Sequence, residues 1–146
     1  MMQALVRLDP ENRETYRSRY KNLEREIDDL DARIRFILTN PASRNFLVFH
    51  PSWGYFAREY GLIQVAIEKE GKGPAPASLA ETVALARREG LRVVFVQRQF
   101  DTSAAEVVAR EIGGRVVKLD PLAEDWFGNL EETARMLGKA LRENSP

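Results

Sequence analysis

One histidine and one aspartate are the residues best placed to do chemistry. His50 directly follows the apolar run Phe46–Phe49, and Asp120 follows the predicted strand 116–119. Glu68 and Gln97 follow the predicted strands 63–67 and 93–96. Imidazole and carboxylate together are a ligand set that suits zinc, manganese or ferrous iron. His50 and Asp120 are therefore candidate metal ligands, provided that the fold brings them to one place.

A structural interpretation of the same two residues stays open. A lone histidine after a strand is most often a hydrogen-bonded surface residue, and an aspartate before Pro121 is most often a turn former. The spacing of His50 and Asp120 does not decide between these roles.

Other chemistries find little support in the residues. The chain has no cysteine, which excludes thiol catalysis and zinc–thiolate sites within it. Its glycines do not form a dinucleotide-binding or phosphate-binding loop, and Ser52 is not in a nucleophile elbow. An enzyme using His50 and Asp120 as acid and base is the weakest hypothesis, because no substrate or oxyanion motif accompanies them. The charged residues Glu68, Lys69, Glu70 and Lys72 are interpreted as a solvated loop.

The elements that would position these residues alternate between strand and helix. Strands are predicted at 46–49, 63–67, 93–96 and 116–119, and helices at 52–60, 78–88, 102–112 and 129–142. The Gly- and Pro-rich stretch 68–77 is predicted to be a loop. This order predicts an α/β fold with a four-stranded parallel sheet flanked by helices. In such sheets ligands bind beyond the carboxyl ends of the strands, which is where His50 and Asp120 stand.

One long helix precedes the sheet. Asp9-Pro10 is a typical helix start and Asn40-Pro41 a typical stop, which predicts a helix of about 29 residues and roughly 44 Å. Its apolar residues form a narrow seam with alternating spacings of four and three: Tyr16, Tyr20, Leu23, Ile27, Leu30, Ile34 and Ile37. We expect the C-terminal half to cross its own domain and the other half to extend beyond it. Residues 1–40 would be a connecting helix and residues 41–146 an α/β lobe.

The composition narrows the choice of partners. The chain has 146 residues, of which 22 are basic and 22 acidic, so the formal net charge is zero. This balance gives no electrostatic reason to expect nucleic acid as a partner. No apolar segment reaches the roughly 18 to 20 residues that a bilayer span requires. The first nine residues also lack the basic and apolar regions of a signal peptide.

Several segments resemble one known family, in the right order and over essentially the whole chain. The family comprises the periplasmic zinc- or manganese-binding proteins of bacterial ABC transporters. The stretch 46–56, FLVFHPSWGYF, with 60–62, resembles the segment that carries the family's third metal ligand. The other similar segments are 8–12 with the long helix, 79–81 with 93–100, and 116–122.

The resemblance implies a receptor that captures a metal ion and delivers it to a permease, without catalysis. The family has two α/β lobes joined by a long helix, and this chain resembles the C-terminal lobe with that helix. By resemblance His50 is a metal ligand, and Asp120 stands where many members have an acidic ligand. A histidine at position 50 favours zinc, with manganese as the second candidate.

This sequence also departs from the family pattern. The N-terminal lobe with its two histidines, the histidine-rich loop of many zinc members, and a signal sequence are absent from the 146 residues. We therefore expect the isolated chain to bind zinc weakly through His50 and Asp120. The uncovered half of the long helix, with Tyr16, Tyr20 and Leu23, predicts self-association. An alternative hypothesis is a stand-alone interaction module that dimerises through this helix and has lost tight metal binding.

Overall fold

The computed structural model describes residues 1–68, 76–99 and 102–143. The helices are α1 (Met2–Leu8), α2 (Arg13–Ile37), α3 (Gly54–Glu59), α4 (Pro76–Arg88), α5 (Ser103–Glu111) and α6 (Trp126–Glu143), with a 3-10 helix at Pro10–Asn12. The strands are β1 (Asn45–Val48), β2 (Ile63–Ala66), β3 (Val93–Gln97) and β4 (Arg115–Leu119). Lys69, Glu70 and Lys72 of the predicted loop lie outside the described residues.

The four strands form one parallel sheet in the order β2-β1-β3-β4, which confirms the predicted fold class. The chain passes from β1 outward to β2, and then returns to the other side of β1 for β3 and β4. The direction of strand order therefore reverses between β1 and β3. In open parallel sheets this reversal leaves a crevice at the carboxyl ends of the two strands, and ligands bind there.

Helices cover both faces of the sheet, which explains why β1 is apolar at consecutive positions. Phe46 and Val48 point into the layer formed with α2, α3 and α6. Leu47, between them, points into the opposite layer, with α4 and α5. Phe46 also packs edge-on against Phe95 of β3, with ring centroids 6.3 Å apart. The apolar residues of β1 thus contribute to the core on both faces of the sheet.

The C-terminal half of α2 belongs to this core, as predicted. Leu30 and Ile34 are almost fully buried, and they share one apolar cluster with Leu137 and Leu141 of α6. Helix α2 ends at Ile37, a few residues before the predicted stop. The long helix is therefore anchored to the sheet through α6.

The N-terminal part of the chain does not form one continuous helix with α2. Residues Met2–Leu8 form a separate short helix, and Tyr16 Oη donates a 2.7 Å hydrogen bond to Asp9 Oδ2 at the turn after it. Tyr20 and Leu23 are exposed, as expected, but Tyr16 is half-buried, contrary to expectation. None of the helices in the described ranges is both long and apolar enough to cross a membrane.

Candidate metal centre

The two predicted ligands lie at one edge of the sheet. His50 follows the carboxyl end of β1, and Asp120 follows that of β4. Strand β3 lies between β1 and β4. Two inter-strand spacings of about 4.8 Å place these two strands roughly 10 Å apart. His50 thus follows one of the two strands that border the crevice, and Asp120 follows the strand beyond β3 at the same carboxyl edge.

The backbone ladder between β1 and β2 continues beyond the strands and fixes His50 opposite Glu68. Val48 pairs with Ala66 across the sheet, an offset of 18 residues. Beyond that pair, the Ile67 N–H donates to the Val48 carbonyl and the Glu68 N–H donates to the Phe49 carbonyl, both at 2.9 Å. The same offset of 18 separates His50 from Glu68.

Glu68 is a buried partner of the histidine rather than a loop residue in solvent. His50 Nδ1 lies 2.9 Å from Glu68 Oε2. Glu68 is only 8% exposed, so the interpretation of this residue as part of a solvated loop is wrong. A carboxylate removed from water needs a hydrogen-bond partner, because its desolvation is costly. Within the described residues, the His50 imidazole is the hydrogen-bond partner of this carboxylate.

The main chain after His50 is also held in place. The Ser52 N–H donates to the His50 carbonyl at 2.9 Å. The Trp53 N–H donates to Gln64 Oε1 of β2 at 2.8 Å. Trp53 itself is buried and packs edge-on against Phe56. The turn that carries the imidazole is therefore hydrogen-bonded to β2 through the Trp53 N–H and packed against α3 through the Trp53 ring.

Asp120 is held by a separate set of hydrogen bonds. Its Oδ1 accepts from Gln99 Nε2 at 2.8 Å and from the Leu122 N–H at 3.0 Å. Its main-chain oxygen accepts from Asn129 Nδ2 at 2.7 Å. The bond from Gln99, then that from Leu122, and the positive charge of Arg98 lower the pKa of Asp120. Asp120 is therefore an ionised turn residue, which is compatible with a role as a metal ligand.

Two pairs of side chains are in contact within the described residues. They are His50 with Glu68, and Asp120 with Gln99. No cluster of three or more His, Cys, Asp or Glu side chains suited to a metal ion occurs within these residues. The roles of His50 and Asp120 as ligands remain predictions. Sequence reasoning missed the contribution of Glu68, although its place after a strand was the available signal. It also missed Gln99, which nothing in its local sequence distinguishes.

Comparison with known proteins places the chain in a family. Residues 1–140 match the sequence model of the family described as zinc-uptake complex component A, periplasmic. The chain belongs to this family. The matched region contains both His50 and Asp120, together with Glu68.

Curated relatives of this zinc-uptake family have moderate identity to the chain. A putative metal-binding protein of Chlamydia trachomatis serovar D is 32% identical over 129 residues, which are 88% of this chain and 47% of the relative. The high-affinity zinc uptake system protein ZnuA of Bacillus subtilis is 31% identical over 120 residues, which are 81% of this chain and 38% of that protein. The chain thus spans about half the length of its relatives, or less.

Solved structures of the family have the same fold. A crystal structure of ZnuA is 40% identical, with a TM-score of 0.91, and the match covers 95% of this chain and 55% of that one. A zinc-bound ZnuA deletion mutant is 39% identical, with a TM-score of 0.90, over 99% of this chain and 55% of that one. The α/β sheet and the long helix are therefore shared with these ZnuA structures.

Proposed function

We propose that this chain is the zinc-binding lobe of a substrate-binding protein for an ABC-type metal transporter. It would capture a zinc ion through His50, with Asp120 as a second ligand, and have no catalytic role. The observation that carries the proposal is the position of His50. His50 follows a strand that borders the reversal of strand order in a parallel sheet, a region where ligands bind, and its imidazole contacts the buried carboxylate of Glu68.

The donor chemistry supports zinc as the cargo. Zinc accepts imidazole nitrogen and carboxylate oxygen at about 2.0 to 2.2 Å. His50 offers the former, and the ionised Asp120 offers the latter from the same edge of the sheet. Manganese is the second candidate, because it prefers sites richer in oxygen.

Two protein ligands make an incomplete zinc site. Zinc sites in proteins use three or four protein ligands, and the described residues contain no cluster that supplies them. Since the relatives are about twice as long, we propose that the remaining ligands come from outside the 146 residues. The isolated chain would therefore bind zinc openly and weakly.

Transport gives this site its biological setting. We propose that the complete protein works in the periplasm and hands the ion to a membrane permease, in keeping with the family description. A ligand set that is divided between two parts of the protein suits such transfer. The ion can leave when the two parts separate.

A zinc and manganese titration against a competing chelator tests the proposal. The chain is compared with His50→Ala and Asp120→Asn, and with Asp28→Asn, which removes an exposed carboxylate on α2 as a matched control. We expect weak zinc binding that is lost in His50→Ala, reduced in Asp120→Asn and unchanged in Asp28→Asn. Manganese should bind more weakly than zinc.

Two outcomes would count against this function. Zinc binding that survives His50→Ala would remove the imidazole from the site. A tight, submicromolar site in the monomeric wild-type chain would show that the ligand set within the 146 residues is complete, and would contradict the proposed division of ligands.

A further inference from the structure

We propose that Glu68 is a positioning residue for the His50 imidazole, which it orients so that Nε2 is the nitrogen presented to a metal ion. The inference deepens the proposed function and rests on it for the identity of the ion. Glu68 does not touch the metal in this arrangement. It acts through the ring of His50.

Glu68 and His50 are opposite each other in the continued register of β1 and β2, and the ladder bond from the Glu68 N–H to the Phe49 carbonyl fixes their separation. The backbone register thus brings the two residues side by side, and their side chains are 2.9 Å apart. Backbone hydrogen bonds just beyond the two strands limit the freedom of both residues.

The contact with Glu68 also bears on which ring nitrogen of His50 carries the proton. An ionised carboxylate only accepts hydrogen bonds, so the contact requires a proton on His50 Nδ1. A neutral imidazole carries one proton, and the nitrogen without it is the one that can bind a metal. The contact with Glu68 therefore selects Nε2 as the metal-binding nitrogen. A carboxylate behind a ligating histidine fixes the tautomer and raises the basicity of the ring.

The side chains of Glu68 and His50 differ in burial. The side chain of Glu68 is 10% exposed, whereas that of His50 is 35% exposed. The neighbour Ile67 is fully buried, which seats the carboxylate at the top of the core. The carboxylate is thus the more deeply buried group of the pair, and the imidazole is the more exposed one.

The single histidine of the chain allows a direct test by nitrogen-15 NMR of its ring nitrogens. The metal-free chain is measured at about pH 9, where an ordinary imidazole is neutral. We expect wild-type His50 to carry its proton on Nδ1. Glu68→Ala should shift the population toward the tautomer protonated at Nε2. Glu68→Gln should largely preserve the wild-type tautomer, because its amide oxygen accepts the same hydrogen bond.

Zinc is then titrated into the same proteins near neutral pH, where free zinc stays in solution, and followed by the ring nitrogen signals, which report weak binding as well as tight binding. Loss of a carboxylate behind a metal-binding histidine typically costs about 10- to 100-fold in affinity. We expect a loss of this size in Glu68→Ala and a smaller one in Glu68→Gln. Glu131→Gln is the control, since it removes another partly buried, ion-paired carboxylate on α6, away from the site.

The outcomes separate this inference from the proposed function. Wild-type His50 protonated at Nε2 would overturn the inference without any variant, even if Glu68→Ala fails to fold. An unchanged tautomer and unchanged zinc affinity in a folded Glu68→Ala would overturn it as well. A wild-type chain that shows the Nδ1 proton but binds no zinc would refute the proposed function and leave the positioning of the ring by Glu68 supported.

Discussion

Tyr60 Oη donates a hydrogen bond to Asp31 Oδ1 over 3.1 Å, which ties the end of α3 to the long helix α2. Asp31 also accepts a 2.8 Å bond from Arg35 Nε, and the Arg35 guanidinium lies 5.3 Å from the centre of the Tyr60 ring. Burial, and then the hydrogen bond to Asp31, raise the pKa of Tyr60 to about 12. This contact anchors the segment that follows His50 to the helix that precedes the sheet.

The raised pKa of Tyr60 predicts a loss of stability in alkali. In the unfolded chain a tyrosine ionises near pH 10, so between about pH 10 and 12 the native state holds more protons than the unfolded state. Its contribution is fully present below pH 10 and is lost as the pH rises through that window. We expect the free energy of unfolding in urea to fall more steeply with pH for the wild type than for Tyr60→Phe.

The same variant has an expected effect at neutral pH. Tyr60→Phe should cost about 1 kcal/mol through the lost hydrogen bond. Tyr55→Phe is the control, because Tyr55 is 83% exposed and its substitution should change stability by less than about 0.5 kcal/mol. If the free energy of unfolding fell equally with pH in the wild type and in Tyr60→Phe, the pKa of Tyr60 would not be raised in the folded state.

Two adjacent glycines before β4 should differ sharply in their tolerance of a methyl group. Gly113 has a φ of +63° but open space where a Cβ would stand, so Gly113→Ala carries mainly the left-handed backbone penalty of about 1 to 2 kcal/mol. At Gly114 a Cβ would lie 2.1 Å from the Arg92 carbonyl oxygen, within the segment that aligns β3 with β4. We expect Gly114→Ala to destabilise the chain more than Gly113→Ala in urea unfolding. Equal losses of stability would mean that β3 and β4 move apart easily at this end and make room for the methyl group.

Much of the fold could be predicted because its signals are local. A parallel sheet covered on both faces needs continuous apolar strands, and Phe46, Leu47 and Val48 are such a run, with alternate side chains in opposite layers. The predicted start of α6, at Asn129, is three residues later than its actual start at Trp126. Asp125 Oδ1 accepts the Gly128 N–H at 3.0 Å, so the residue that caps this helix lies before the one that the sequence pattern favours.

The site was predicted only in part, because its contacts depend on strand order. Placing His50 and Asp120 at one edge requires only that the strands be parallel. Pairing His50 with Glu68 also requires β2 to lie beside β1, which no local pattern reveals. The neighbouring charges after Glu68 are typical of a solvated segment. Tertiary burial overrides that local pattern.

The N-terminal part of the chain exposes an apolar surface that predicts self-association. The N-terminal residue, α1 and the first half of α2 line an open depression of about 410 Å³, through Met1, Met2, Leu5, Tyr16, Arg19, Tyr20 and Leu23. Leu5, Tyr20 and Leu23 are each more than 40% exposed, and Ile27 continues the exposed seam. Helix α1 covers part of this apolar surface and leaves the rest exposed to solvent. Contiguous apolar surface of this kind favours association with another protein surface.

Light scattering across a concentration series measures the predicted self-association. We expect the mean mass of the wild-type chain to rise above that of a monomer as concentration increases. Leu23→Glu should return the chain to a monomer, because a buried unpaired carboxylate opposes association. Phe36→Glu is the matched control, since Phe36 is an 82% exposed apolar residue on the same helix but outside this depression. A wild-type chain that stays monomeric at high concentration would contradict the prediction, and equal association of both variants would assign the contact to another surface.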